Sequence, residues 1–366
     1  MRIEPYNDSE VNKVLSNLLT NPEFINFVKA NFSHSKSKFL SLPGSTFLAF
    51  QFFKNKVKKI NSINAFQDEV KQVLSSVVAK TIDNFSYSGM DNLDSSKPYL
   101  FVGNHRDITL DSALCNFALA TKGFDTTYNA IGDNLVSINW MGDLLRLNKC
   151  FVISRSGSSK KEIYNNLSNA SSFIHKTLNE SKHVWIAQRQ GRTKDGLDKT
   201  DPAVLKMIHM NQRKNYPFEN ISNHINIIPC SISYEIDPLA AEKAKKQLSG
   251  IEAKNTDEDV SHIFKGIMTH KGNVHLSFCP QITGEFSPEA LAEAIDSSIS
   301  SNYKLWDTNL YAYDFLHMNE KNSSKYERGK KYFEDLRVSM NNQELEYIMN
   351  QYANPVKIIK DLTNER

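Results

Sequence analysis

The chain has 366 residues, of which 40% are hydrophobic and 23% charged, and this composition excludes a wholly disordered or fibrous protein. The 44 Lys and Arg residues exceed the 41 Asp and Glu residues by three, so the net charge does not predict a nucleic-acid-binding protein. A surplus this small still permits local basic pockets, which have to be identified residue by residue.

The first eight residues lack the apolar core of a signal peptide, and the most apolar early stretch, residues 47–53, is far shorter than the ~18 apolar residues of a spanning helix. The four cysteines form no CxxC pair, so we expect buried free thiols in a reducing compartment, without disulfides or a zinc site. They are Cys115, Cys150, Cys230 and Cys279. The sequence therefore predicts a cytoplasmic protein.

Apolar residues at helical spacing predict helices over residues 9–80. From about residue 96, short runs rich in β-branched and aromatic residues alternate with helical patterns. The predicted strands are residues 98–102, 150–153, 184–187, 225–234 and 274–278, and the predicted helices among them include 113–120 and 162–178. This alternation predicts an α/β fold with a mostly parallel central sheet and flanking helices.

Helical patterns return after about residue 285, where Ser287-Pro288-Glu289 has the composition of a helix start. The chain thus divides into three predicted regions. They are an N-terminal helical region (1–80), an α/β domain (81–285) and a C-terminal helical region (286–366).

The first predicted strand is followed directly by a histidine, His105, with two carboxylates nearby in the sequence. Histidine titrates near neutral pH and can accept a proton from a hydroxyl group, and a carboxylate bonded to its other ring nitrogen would orient it. Asp111 is the preferred orienting carboxylate, because a helix N-cap role accounts for Asp107 without any catalysis. Asp107 is retained as the second choice.

Cationic side chains follow two further predicted strands. Arg155 comes directly after residues 150–153, where its guanidinium suits a phosphate or a carboxylate. Arg189, Arg192 and Lys194 follow residues 184–187 in a loop that also contains Gly191, and such a loop allows close approach of backbone to an anion. The carboxyl ends of parallel strands are where ligands collect, so these groups are candidate ligand contacts.

These blocks, with the strand that contains Ile228-Pro229, resemble the motifs of the glycerolipid acyltransferase family over about residues 95–240. The family has Asn-His, four intervening residues and Asp, whereas Asn104-His105 is separated from Asp111 by five residues. Gln190-Gly191-Arg192 is similar to the third motif, but the glutamate of that motif is absent.

The resemblance implies an O-acyltransferase in phospholipid synthesis that moves a fatty acyl group from a thioester to a glycerol-phosphate hydroxyl. His105 would be the general base and Asp111 would orient it, while backbone N–H groups at the start of the following helix would stabilise the oxyanion. The implied substrate-binding residues are Asn104, Arg155, Gly191, Arg192 and Lys194. The co-substrate would be acyl-CoA or acyl-carrier protein, with no cofactor and no metal.

Three readings remain open. The preferred acceptor is 1-acylglycerol-3-phosphate, and the first alternative is a soluble glycerol-3-phosphate 1-acyltransferase. The second alternative is a non-catalytic lipid- or acyl-carrier-binding protein, which the missing glutamate keeps open. Residues 39–59 combine aromatic residues with four lysines, which permits peripheral contact with the inner membrane surface, although a helix packed on the α/β core with a solvated basic end is the preferred interpretation.

Overall fold

The computed structural model describes residues 2–33, 45–250, 256–317 and 324–364. Within these ranges the strands are β1 (Asn84–Ser88), β2 (Leu100–Gly103), β3 (Tyr128–Gly132), β4 (Cys150–Ile153), β5 (Val184–Ala187), β6 (Ile227–Tyr234) and β7 (Asn273–Phe278). The helices before β6 are α1 (Asp8–Thr20), α2 (Pro22–Ser33), α3 (Ser45–Val57), α4 (Ile63–Thr81), α5 (Leu110–Thr121), α6 (Asn139–Leu147), α7 (Lys160–Asn179), α8 (Pro202–His209) and α9 (Ile221–His224). Those after it are α10 (Ala240–Leu248), α11 (Thr256–Met268), α12 (Pro288–Ser301), α13 (Asp307–His317), α14 (Glu327–Arg337) and α15 (Asn342–Asn364).

The seven strands form one sheet in the order β1-β7-β6-β2-β5-β3-β4. All neighbouring strands in it are parallel except β6 and β7, which are antiparallel. The predicted α/β class with a mostly parallel sheet is therefore confirmed. β2 lies between β5 and β6, so its carboxyl end opens near the middle of the sheet, where ligands bind in this class of fold.

Alternate residues of the central strands enter the hydrophobic cores on the two faces of the sheet. In β2, Leu100 and Val102 join a core covered by α7, α8 and α12, whereas Phe101 joins the core covered by α5. Neighbouring side chains of a strand point to opposite faces, and burial on both faces accounts for the continuously apolar runs of β2, β4 and β5.

Three of the helices begin where the sequence supplies a serine cap. Ser62, Ser159 and Ser287 each accept a hydrogen bond from a backbone N–H in the first turn of α4, α7 and α12. Pro288 follows as the first residue of α12, where its missing N–H costs nothing. These caps fix the starts of the helices that flank the sheet.

Two strands were not predicted from the sequence, namely β1 at one edge of the sheet and β3 next to the other edge. β1 (Asn84–Ser88) is largely polar and only partly buried, and β3 (Tyr128–Gly132) contains an asparagine and a glycine. β1 alternates the aromatic residues Phe85 and Tyr87 with polar ones, which is the pattern of a half-buried strand, whereas β3 has neither an apolar run nor strict alternation. The predicted strands 150–153 and 184–187, in contrast, agree with β4 and β5 at both ends.

Further hydrophobic cores lie among the helices outside the sheet. α1, α2 and α4 share a core with α6 and α11, and α10 shares one with α13, α14 and α15. Helices therefore occupy the predicted flanking regions, while their division into domains at residues 80 and 285 stays a prediction.

The stretch 39–59 is only partly described, since residues 39–44 lie outside the described ranges. Residues 45–57 form α3, in which the Phe52 side chain is 74% exposed and the Phe53 side chain packs against the N-terminal core. Among the described residues, the helices are either too short or too polar to cross a bilayer.

Candidate active site

His105 lies in the loop that joins β2 to α5, at the carboxyl end of a central strand. Its imidazole packs edge-on against the indole of Trp185 in β5, with the ring centres 6.3 Å apart. Gly103, the last residue of β2, leaves room for that indole, because an added Cβ would lie 3.0 Å from the Trp185 ring. The two strands thus place the histidine at the wall of a cavity.

Asp111 is hydrogen-bonded to the ring of His105, with Asp111 Oδ2 3.0 Å from His105 Nδ1. The Asp111 carboxylate also accepts hydrogen bonds from the backbone N–H groups of Arg106 and Asp107 and from the Tyr234 hydroxyl. Asp111 is 2% exposed, and four donors hold it in place. If His105 donates its Nδ1–H to this carboxylate, its Nε2 is free to accept a proton.

The Asp107 carboxylate has different hydrogen-bond partners from that of Asp111. One of its carboxylate oxygens accepts hydrogen bonds from the backbone N–H groups of Thr109 and Leu110, where α5 begins. Its other oxygen, Oδ2, is buried against Gly266 of α11. Burial and the neighbouring Asp111 raise the pKa of Asp107. Of the two candidate carboxylates, Asp111 is therefore the one that contacts His105.

Asn104 lies behind the cavity wall and is fully buried. Its side-chain amide donates to Asp198 and to the Ile232 carbonyl, and its Oδ1 accepts from the Ile232 N–H. Asp198 is also paired with Arg106, at 2.5 Å, and both side chains are buried. These contacts support a role for Asn104 in positioning the His105 loop, and its predicted contact with substrate is not part of this geometry.

A cavity of about 720 Å³ opens in front of His105. Its apolar lining includes Ile108, Ile131, Leu135, Ile153, Trp185 and Val204. Its lining also includes six cationic side chains, Arg155, Arg189, Arg192, Lys194, Lys243 and Lys246, together with the carboxylates Asp133, Asp195, Glu242 and Asp259. The cavity is thus amphipathic, and cations predominate among its charged groups.

Two of the cavity cations are hydrogen-bonded to uncharged side chains. Arg155 Nη1 donates to Gln190 Oε1 at 2.6 Å, and Arg192 Nη2 lies 3.1 Å from His262 Nδ1. A neutral partner leaves the charge of a guanidinium uncompensated, so both groups retain an attraction for an anion in the cavity.

The residues that α10 and α11 contribute to the cavity were not predicted from the sequence. Lys243 of α10 donates to Asp237 and to the Arg106 carbonyl, and so supports the His105 loop from behind. His262 of α11 contacts Arg192, and Gly266, one turn further on, packs against the His105 loop. The spacing of His262 and Gly266 by four residues is a sequence sign of one inward helix face with a close approach.

Groups of three or more His, Cys, Asp or Glu side chains that could hold a metal ion do not occur in the described part of the chain. The four cysteines, Cys115, Cys150, Cys230 and Cys279, are free and buried, as expected. The absence of a cofactor stays a prediction.

Comparison with known proteins identifies the domain that contains this site. Residues 84–233, which run from β1 to β6, match the family model described as Acyltransferase. This protein contains a domain of the acyltransferase family. The predicted family resemblance and the prediction of an acyltransferase enzyme are thereby confirmed. Curated protein sequences yield no match to this acyltransferase.

Solved structures similar to this acyltransferase share little sequence with it. The 1-acyl-sn-glycerophosphate acyltransferase PlsC of Thermotoga maritima is 11% identical, over 91% of this chain and 97% of that one, with a TM-score of 0.38. The signal recognition particle receptor FtsY of Elizabethkingia anophelis is also 11% identical, over 79% and 92% of the two chains, with a TM-score of 0.23. The family assignment of the acyltransferase rests on the match over residues 84–233.

Proposed function

We propose that this acyltransferase moves a fatty acyl group from a thioester donor, acyl-CoA or acyl-carrier protein, to a hydroxyl of a glycerol-phosphate acceptor in phospholipid synthesis. The preferred acceptor is 1-acylglycerol-3-phosphate, and glycerol-3-phosphate is the alternative. One observation carries the proposal. A histidine oriented by a buried carboxylate, His105 with Asp111, lies in the wall of a cavity whose lining combines apolar and cationic side chains.

The reaction follows from the free nitrogen of His105. Its Nε2 takes the proton of the acceptor hydroxyl as the hydroxyl oxygen attacks the thioester carbonyl carbon. The tetrahedral intermediate then expels the thiolate, which receives the proton from the imidazolium, and the products are an ester and a free thiol. Asp111 stabilises the imidazolium and keeps its ring in place throughout.

The oxyanion of this intermediate needs hydrogen-bond donors. The backbone N–H groups of Arg106 and Asp107 donate to Asp111, and those of Thr109 and Leu110 donate to Asp107. Of the first turn of α5, the N–H groups of Asp111 and Ser112 are not among these donors, and the expectation that N–H groups at the start of this helix stabilise the oxyanion stays a prediction. The cavity cations act on the same developing negative charge and would contribute to its stabilisation.

The acceptor phosphate is assigned to the cationic side chains of the cavity. Arg155 and Arg192 keep their charge beside neutral partners, and Lys194 lines the same cavity. Gly191, which directly precedes Arg192, adopts a φ of +76°, a left-handed conformation that glycine takes without strain. This conformation supports the sharp turn that brings the loop backbone to the cavity.

The decisive experiment is an acyl-transfer assay of both thioester donors against both acceptors. With the productive pair, His105→Ala should lower kcat by ~10²–10⁴-fold, because general-base catalysis is lost. His317→Ala, at the exposed end of α13, is the matched control and should keep the activity of the wild type.

Full activity of a folded His105→Ala variant would contradict the mechanism. Turnover with glycerol-3-phosphate but not with its 1-acyl form would select the alternative acceptor. Binding of a donor or an acceptor without any turnover would instead support a non-catalytic lipid- or acyl-carrier-binding protein.

Peripheral contact with a membrane is proposed for the segment that includes α3. Its support is the exposed Phe52 beside Lys54, Lys58 and Lys59, whereas Lys56 is paired with Glu69. An apolar side chain next to a basic cluster suits an anionic lipid surface. Flotation with anionic vesicles at low salt tests this contact, and a protein that stays at the bottom of the gradient would exclude it.

A further inference from the structure

We propose that His262 of α11 is a positioning residue for Arg192, and that it holds this guanidinium at the acceptor phosphate as a neutral hydrogen-bond acceptor. This inference rests on the proposed function, in which Arg192 binds the phosphate of the acceptor. It adds a residue from outside the acyltransferase match of residues 84–233.

The bond between the two side chains fixes the state of the imidazole. Arg192 Nη2 lies 3.1 Å from His262 Nδ1, and a guanidinium can only donate hydrogen bonds. His262 Nδ1 must therefore carry a lone pair, which makes the ring neutral with its proton on Nε2. That Nε2 points toward Glu258 Oε1, which is 3.8 Å away.

The neutral acceptor holds the guanidinium without cancelling its charge. A carboxylate in the same place would form an ion pair and compete with the phosphate for Arg192. Arg192 Nη1 is buried in the cavity wall and has no acceptor among the described protein groups. The His262 bond thus orients one side of the guanidinium and leaves a second nitrogen for an anion.

Three contacts fix the position of α11, the helix that carries His262. Glu258 is paired with Lys246 of α10, and Asp259 accepts a hydrogen bond from Asn134, which precedes α6. Ile263 is buried in the core formed with the N-terminal helices. A side chain on so constrained a helix can fix the rotamer of an arginine on a loop, because the arginine would otherwise lose considerable conformational entropy on binding.

Protonation of His262 would break this arrangement. The charged groups that face the ring are Arg192 from the β5 loop, Glu258 and Asp259 from its own helix, and Glu242 from α10. Burial and Arg192 lower the pKa of His262 below its usual value, so the neutral form dominates at pH 7. As the pH falls through this lowered pKa, an increasing imidazolium fraction would remove the acceptor and repel the guanidinium.

The test compares three variants in steady-state acyl transfer. His262→Ala should raise the KM for the acceptor about tenfold with little change in kcat or in the KM for the donor, because a hydrogen bond to a charged group is lost. His262→Asn should stay within about threefold of the wild type, since its Oδ1 can accept the same bond without becoming protonated. Arg192→Leu reports the contribution of the guanidinium itself.

The pH profile separates positioning from packing. As the pH falls from 7, the acceptor KM of the wild type should rise more steeply than that of His262→Asn, and the titrations of the phosphate and of His105 are common to both proteins. If His262→Ala does not fold, this comparison alone decides. Parallel profiles of the acceptor KM against pH for the wild type and His262→Asn would refute the pH-sensitive bond.

The outcomes distinguish this inference from the proposed function. A large rise in acceptor KM for Arg192→Leu with none for His262→Ala would overturn the positioning role and leave the phosphate assignment intact. An equal rise for His262→Ala and His262→Asn would also overturn it, because a packing role would then suffice. An unchanged KM for Arg192→Leu would overturn the phosphate assignment together with the inference.

Discussion

Two arginines near the cavity have opposite kinds of partner. Arg106 is buried behind the His105 loop and paired with the Asp198 carboxylate, whereas Arg192 faces the cavity and is bonded to the neutral imidazole of His262. The carboxylate compensates the first charge, and the second remains available to an anion. Burial of a charge requires such compensation, so the Arg106 pair fits a structural role.

Lys243 and Arg155 differ in the same way, by the charge of the group that each contacts. Lys243 lies next to the Asp237 carboxylate, and its pKa is lowered by burial even with that partner. Arg155 donates to the amide oxygen of Gln190 at the cavity. Arg106 and Arg155 both follow a strand, so that position alone does not assign a cation to a ligand, because the charge of the nearest acceptor decides whether any attraction for a ligand is left.

The largest expected effect concerns the two carboxylates near His105, whose partners also differ. Asp111→Asn should lower kcat by ~10²–10⁴-fold, because an amide can no longer stabilise the imidazolium of His105. Asp107→Asn is the matched control and should change kcat by less than about threefold, since its amide oxygen can still accept from Thr109 and Leu110. Steady-state kinetics and thermal unfolding of both variants check this.

Equal losses of kcat in both folded variants would contradict the separate assignments. A larger loss in Asp107→Asn would make the second-choice carboxylate the functional one. Asp107→Asn should also be no less stable than the wild type at pH 7, because burial and Asp111 already raise the pKa of Asp107 and disfavour its charge.

The next expected effect, on stability, comes from breaking the buried pair behind the cavity. Asp198→Asn should lower the free energy of unfolding by about 3–5 kcal/mol, because it leaves the Arg106 guanidinium buried without its counter-charge. The carboxylate also accepts from Asn104 and Thr193, which adds to the loss. Denaturant unfolding measures it.

The matched control for this loss is Asp195→Asn. Asp195 is exposed in the same loop, and its side chain accepts one backbone hydrogen bond, from Leu197. A loss of stability for Asp198→Asn no larger than that for Asp195→Asn would show that the Arg106 pair does not stabilise the fold, and the contrast with Arg192 would then fail.

The sequence predicted those parts of the fold that depend on local pattern. Buried strands such as β4 and β5 appear as uninterrupted apolar runs, and a Ser-Pro pair marks the start of α12. It favoured Asp111 over Asp107 on the N-cap argument but left Asp107 as a second choice, because the contact with His105 depends on how the loop enters α5. The loop before α5 accommodates the one residue by which the spacing of His105 and Asp111 exceeds that of the family motif.

Contacts between distant parts of the chain were not predictable in the same way. His262 is 70 residues from Arg192, and Asp198 is 92 residues from Arg106, so no periodicity or spacing relates them. The helices α10 and α11 that bring the first pair together have ordinary amphipathic sequences. Only the packing of these helices across the carboxyl edge of the sheet reveals which charges meet.

The smallest expected effect tests the role of a neutral partner directly. Gln190→Glu places a carboxylate beside Arg155, similar to the glutamate of the family motif, and should raise the KM for the acceptor about two- to fivefold. An exposed ion pair contributes roughly 0.2–1 kcal/mol, and that attraction would now compete with the phosphate. Steady-state kinetics at low and high salt measure the effect, which screening should reduce at high salt.

Gln190→Ala is the matched control, because it removes the hydrogen bond and keeps the charge of Arg155 uncompensated. An equal rise in both variants would assign the effect to the lost amide, and a lower KM in Gln190→Glu would mean that a carboxylate there assists acceptor binding.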